Sequence, residues 1–131
     1  MSATPTTPKE IFDIQHKMVL SFDLEQKADL FAEDGVWEFP LAKTGSKIKL
    51  EGRDAIREWS IEAAQKAQEA GHRLLKYDEL VIHDTADPEV IVVEFDLHGE
   101  VTHTGEKYRR SYIQVLRVRD GKIVSLRDYF N

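Results

Sequence analysis

The sequence predicts an α+β domain, in which a curved, mostly antiparallel sheet wraps three helices and leaves a cone-shaped apolar cavity. Three observations predict it. Helical patterns dominate the first half, with only short extended runs between them. Four long extended segments follow from Leu74 onward. Two turn signals, Thr104-Gly105 and Asp120-Gly121, divide Glu89–Asn131 into a three-stranded meander. Asp-Gly between alternating apolar residues is a strong hairpin signal, because a type I′ turn needs positive φ at both central residues. Helices segregated from an antiparallel sheet are the mark of the α+β class.

The elements follow in order. Met1–Thr6 is polar and Pro-containing and reads as a loose leader before a single domain over residues 7–131. Thr7, Pro8 and Glu10 make a capping box with proline at the first helical position. Ile11, Phe12, Ile14, Met18, Val19 and Phe22 recur at helical spacing, so a first helix is expected to about Phe22. Asp23 can cap a second helix over Leu24–Phe31, closed by Glu33-Asp34-Gly35. Val36–Phe39 reads as a short strand stopped by Pro40, residues 41–46 as a loop, and Lys47–Leu50 as a second short strand. After Gly52, Arg53–Ala70 reads as a long helix stopped by Gly71. Leu74–Ile82 is a strand, His83–Pro88 a turn-rich loop, and the meander completes the chain.

Composition narrows the function. The 131 residues are 41% hydrophobic and 32% charged, which suits one domain with one core. There is no cysteine, so disulfides, thiolate catalysis and cysteine metal sites are excluded. The net charge is −6 with basic residues scattered, which argues against nucleic acid as a partner. No apolar run reaches the length of a membrane span and no signal-peptide layout is present, so a cytoplasmic location without membrane association is expected. No glycine-rich phosphate loop and no G-x-S-x-G elbow occur. The five histidines lack metal-ligand spacing, so neither metal nor other cofactor is expected.

The meander can be registered. A two-residue turn at Thr104-Gly105 sets Asp96 opposite Ile113 and Glu94 opposite Val115; one at Asp120-Gly121 sets Ile113 opposite Asp128 and Val115 opposite Leu126. Side chains alternate faces with period two. Asp96, Ile113 and Asp128 then form one row, with Val115, Leu126, Phe130 and His98 on the same face and the two aspartates roughly 10 Å apart. A carboxylate on an apolar wall resists ionisation, so its pKa rises toward the range of proton shuttling, and two such groups can serve as acid and base. The competing reading pairs them with Arg109, Arg110, Arg117 or Arg127. Trp37 and Phe39 share one strand face, with Phe12, Trp59 or Phe130 as neighbours, and serve either as core or as lining for a planar apolar ligand. The opposite face, with Val93, Phe95, Leu97, Tyr112 and Leu116, is too apolar to lie bare, and a second copy is its natural cover.

Three blocks carry a resemblance that runs over nearly the whole chain. They are Leu30-Phe31-Ala32-Glu33-Asp34-Gly35-Val36-Trp37-Glu38-Phe39-Pro40, Gly52-Arg53-Asp54-Ala55-Ile56, and Asp120-Gly121-Lys122-Ile123 with Arg127-Asp128-Tyr129-Phe130. Together they resemble the nuclear transport factor 2-like superfamily, which includes SnoaL-like polyketide cyclases, ketosteroid isomerase, limonene epoxide hydrolase and the phenazine-biosynthesis A/B proteins. The resemblance implies a cystatin-like cone fold, often assembled as a dimer through the sheet. It also implies a catalytic role for Asp128, whose segment is similar to one bearing a catalytic carboxylate in the epoxide hydrolase and the phenazine proteins. Glu94 stands where the epoxide hydrolase has a bridging arginine, Trp37 and Phe39 where it has water ligands, and Phe39 where the isomerase has its proton-abstracting aspartate.

The expected function is cofactor-independent acid/base chemistry (cyclisation, isomerisation, dehydration or epoxide opening) on a small hydrophobic metabolite. Asp128 is the principal group and Asp96 or His16 assists; Trp37, Phe39, Trp59, Ile113, Val115, Leu126 and Phe130 bind the substrate. The alternative is a non-catalytic small-ligand-binding or accessory dimeric protein.

Overall fold

The computed structural model describes residues 6–43, 45 and 48–130. The predicted leader therefore lies outside the described residues except for Thr6, as do Thr44, Ser46 and Lys47 of the predicted loop and second strand. Three α-helices, α1 (Pro8–Leu20), α2 (Leu24–Lys27) and α3 (Arg53–Glu69), pack on one six-stranded sheet. Its strands are β1 (Phe31–Glu38), β2 (Lys49–Glu51), β3 (His72–Asp84), β4 (Val90–Val101), β5 (Glu106–Arg119) and β6 (Lys122–Phe130). They lie in the order β2-β1-β6-β5-β4-β3, with β1 and β6 parallel and every other pair antiparallel. The α+β reading and the mostly antiparallel sheet hold.

Local chemistry sets the helix ends. The Thr7 hydroxyl accepts from the Glu10 N–H at 3.2 Å, and Glu10 accepts from the Thr7 N–H at 3.1 Å, so the capping box is formed. Asp23 makes no side-chain cap, and α2 ends at Lys27 before a single 3₁₀ turn, Ala28–Leu30. Phe31, expected in that helix, opens β1 opposite Ile123. Glu33-Asp34-Gly35, read as a helix stop, is instead an irregular part of β1, where the register against β6 shifts. Gly35 fits there because a Cβ would lie 2.8 Å from the Ile123 carbonyl oxygen.

The two turns of the meander differ. Asp120 and Gly121 take φ of 52° and 75°, as a type I′ turn demands. Thr104-Gly105 is not a two-residue turn: Val101 pairs with Glu106, and its carbonyl accepts from the N–H groups of Thr104 and Gly105. The longer connection moves the register by two residues, so each side chain keeps its face, and Asp96 stands opposite Ser111 rather than Ile113.

Between β5 and β6 the slip is one residue. Val118 pairs with Ile123 but Arg117 pairs with Ser125, which leaves Val124 as the extra residue of a β-bulge. A one-residue slip exchanges faces. Burial along β6 accordingly falls on Ile123, then on Leu126 and Asp128. Asp128 stands opposite Gln114, while Ile113 faces Tyr129. The predicted row of Asp96, Ile113 and Asp128 does not exist, and the two aspartates lie on opposite faces.

The core corrects the face assignment too. Val93, Phe95, Leu97 and Leu116, expected on an outer surface for a second copy, are buried under the helices with Ile11, Phe12 and Ile56. That patch therefore gives no support to a dimer. The true outer face carries Ile113 and Val81, each 46% exposed.

Candidate functional site

A cavity of about 400 Å³ lies between the helices and the inner face of the sheet. Its wall is an aromatic series that follows the strand order. Tyr77 on β3 stacks on Phe95 of β4 with centroids 4.4 Å apart, and Phe95 stacks on Tyr112 of β5 at 5.0 Å. Tyr112 meets Phe130 of β6 at 5.0 Å, and Phe130 meets Phe39 edge-on at 6.0 Å. Phe39 and Trp37 then close against Trp59 of α3 at 5.3 and 5.1 Å. Rings on neighbouring strands meet because inward positions fall in register, and flat faces with polar tips suit a planar, largely apolar guest.

Asp128 is the one carboxyl on this wall among the described residues. It is 5% exposed. Its Oδ2 accepts from the Trp37 indole Nε1–H at 3.3 Å, while its Oδ1 meets no hydrogen-bond donor among the described residues. Gln114, its cross-strand partner, is buried beside it, and the Gln114 Oε1 accepts from Gln15 of α1 at 3.3 Å. Burial raises the Asp128 pKa; the positive Lys27, and then the Gln114 and Trp37 side chains, draw it back down.

Trp37 joins Asp128 to a cation. The Lys27 ammonium rests over the Trp37 ring, 3.8 Å from its centroid, in a side chain that is 3% exposed. Desolvation lowers the Lys27 pKa to about 8, with the Asp128 charge opposing the shift. One indole therefore carries a cation on its face and donates its N–H to a carboxyl at its edge. Chemically, the arrangement offers a proton acceptor with a free oxygen and a nearby positive charge in a space walled by rings.

Of the residues singled out from sequence, Asp128, Trp37, Phe39, Trp59 and Phe130 line the cavity. Leu126 lies beneath it as fully buried core. Ile113 and Val115 sit on the outer face, a consequence of the bulge at Val124. Asp96 is also outside: its Oδ1 accepts from Ser111 at 2.7 Å, and Arg109 stands 3.8 Å from its other oxygen. Glu94 faces outward to His83 at 2.6 Å. His16 falls short of the cavity and stacks behind Tyr77 at 4.2 Å, where burial lowers its pKa. Among the described residues no group of His, Asp and Glu forms a metal-ligand set.

Sequence reasoning missed Lys27, Tyr77, Tyr112 and Gln114. Lys27 had a readable signal, because it shares the apolar stripe of Leu24, Ala28 and Phe31. The strand residues had none until the face assignment of β4 and β5 was known.

Comparison with known proteins agrees with this architecture. A Pseudomonas aeruginosa protein described as an uncharacterized PhzA/B-like protein is 36% identical over 123 residues, covering 94% of this chain and 83% of its own. The crystal structure of a candidate isomerase from Bacillus subtilis superposes with a TM-score of 0.80 at 33% identity, covering 95% of this chain and 86% of that one. A phenazine biosynthesis-related protein from Pseudomonas aeruginosa, at 22% identity and a TM-score of 0.63, shares the fold over 94% of this chain and 84% of its own. The SnoaL-like domain family matches residues 16–126, and this chain belongs to it.

Proposed function

We propose that this protein is a cofactor-independent acid/base enzyme of the SnoaL-like cyclase and isomerase type, in which Asp128 moves a proton on a small, flat, largely apolar metabolite. The observation that carries the reading is a carboxyl 5% exposed, with one oxygen unpartnered, on the wall of an aromatic cavity. Burial makes this carboxylate a better base than a solvated one, because it raises the pKa of its conjugate acid. Isomerisation, cyclisation and dehydration each need one proton taken from the substrate and one given back. The carboxylate accepts the first as carboxylic acid and delivers it to a second position, so it ends as it began. Relatives named for phenazine biosynthesis support a role in processing small metabolites.

Proton transfer can be read without the native substrate. Cyclic enones incubated in D₂O exchange the hydrogens beside the carbonyl, and NMR follows the loss of signal. The chain should accelerate exchange of ketones that fit the cavity, and Asp128→Asn should lower that rate about 10²- to 10⁴-fold. Exchange by Asp128→Asn at the wild-type rate would remove Asp128 from the chemistry. A variant that binds the same ketones, beside a wild type that exchanges none, would favour a ligand-binding protein instead.

A further inference from the structure

The chain is acidic, with a net charge of −6, yet its cavity is not. The charged side chains on the wall are Lys27, Lys66 and Arg110 against the single carboxyl of Asp128. Lys66 is already matched by Glu62 at 3.1 Å. Arg110 leans over the Tyr108 ring, 5.2 Å from its centroid. Lys27 is the informative one. It is 3% exposed, and its ammonium rests on the Trp37 ring face rather than on a carboxylate, with no carboxylate oxygen within 4.0 Å among the described residues.

A buried ammonium is costly unless an anion and hydrogen bonds answer it, and a ring face answers it only in part. Asp128 shares the cavity but spends its bonded oxygen on Trp37. Asp128 answers the ammonium only from beyond ion-pair contact, which leaves room for a closer counter-charge from a guest. A carboxylate placed on the ammonium makes charge-assisted hydrogen bonds, whereas a neutral isostere leaves the cation unmatched and dry. The aromatic wall limits the rest of such a guest to something flat and apolar.

We propose that the cavity binds a flat organic carboxylate, a monoanion, and that Lys27 pairs with its charged group while Arg110 adds a weaker attraction nearby. The proposal rests on the cavity being the ligand site, as argued above, but does not need Asp128 to move a proton. Burial raises the Asp128 pKa and Lys27 lowers it, so a guest carboxylate meets a carboxyl whose charge is already partly answered by the same cation.

The test uses the full chain, 2-naphthoate and its neutral isostere 2-naphthamide, with calorimetry and the fluorescence of Trp37 and Trp59 as readouts. Wild type should bind the carboxylate roughly tenfold to a hundredfold more tightly than the amide. Lys27→Met, which keeps the length and apolar packing over Trp37, should lose the preference while still binding the amide. Lys27→Arg, which keeps the charge, should retain it should the methionine variant not fold. Arg110→Ala should reduce it only a few-fold. Equal affinity for the two probes in wild type, no binding of naphthoate at millimolar concentration, or a preference that survives Lys27→Met would each overturn the proposal. Asp128→Asn separates the two readings: it should lower proton exchange about 10²- to 10⁴-fold while the variant still binds the carboxylate more tightly than the amide.

Discussion

Asp96 and Asp128 sit on β4 and β6, two strands that flank β5, and they have opposite fates. Asp96 faces outward, takes a hydroxyl from Ser111 at 2.7 Å and has Arg109 at 3.8 Å. Asp128 faces inward, keeps one oxygen unpartnered and is nine-tenths hidden among rings. The first is an outward carboxylate with ordinary partners, and the second is a buried one on the cavity wall. What separates them is a single extra residue, Val124, because an odd offset in a period-two element exchanges faces. Which aspartate reaches the cavity is decided by strand parity rather than by the residue type or its neighbours in sequence.

The largest effect expected from this contrast is catalytic. Asp128→Asn removes the proton acceptor, at about 10²- to 10⁴-fold in exchange rate, while Asp96→Asn should leave the rate within about twofold, since it touches nothing in the cavity. Comparable losses in both variants would mean that the inner and outer faces are coupled, and the contrast would fail.

A second break point is pH. Lys27 has a folded-state pKa of about 8 against an ordinary 10.5. The unfolded chain therefore binds the extra proton more readily, and folding becomes more favourable as pH rises from about 8 toward 10.5. At about 1.4 kcal/mol per pH unit, the gain approaches roughly 3 kcal/mol. Chemical denaturation of wild type and Lys27→Met across this range measures it: the slope should be present in the first and absent in the second. Asp128 has the opposite ordering, a folded pKa above the unfolded one. Its contribution is full below the unfolded value near 3.8 and is lost as pH rises through the folded value. Asp128→Asn should therefore gain stability over wild type as pH rises above the unfolded value near 3.8, seen as a widening gap in Tm.

Much of the fold was legible because it rests on local rules. The Thr7 capping box, the Asp120-Gly121 turn and the helix after Gly52 are each fixed by a few adjacent residues. The site was legible in its aromatic part for a similar reason: Trp37 and Phe39 alternate in one chain segment, so they share a face whichever face it is. The rest depended on register. Gly105 marks the connection after Val101 but not its four-residue length, the bulge at Val124 has no glycine or proline of its own, and the bulge inverted every inference drawn across β5 and β6. Asp128 kept its place because it was tied to its own motif, whereas Asp96, Ile113 and Val115 were placed only by counting across that bulge.

The smallest expected effect tests the outer half of the comparison. Asp96 makes one good hydrogen bond and one long ion-pair contact on a side chain that is 18% exposed. Removing it with Asp96→Ala should cost about 1 kcal/mol, because a partly solvated carboxylate exchanges protein donors for water at little net loss. Ser111→Ala should cost about the same, and the double variant should cost less than the two together, since both delete one bond. High salt should erase the part that belongs to Arg109 and leave the Ser111 part intact. A cost several times larger, insensitive to salt, would show that Asp96 is buried in the native protein under a surface this chain does not itself supply, and the outer face of the sheet would then have to be covered.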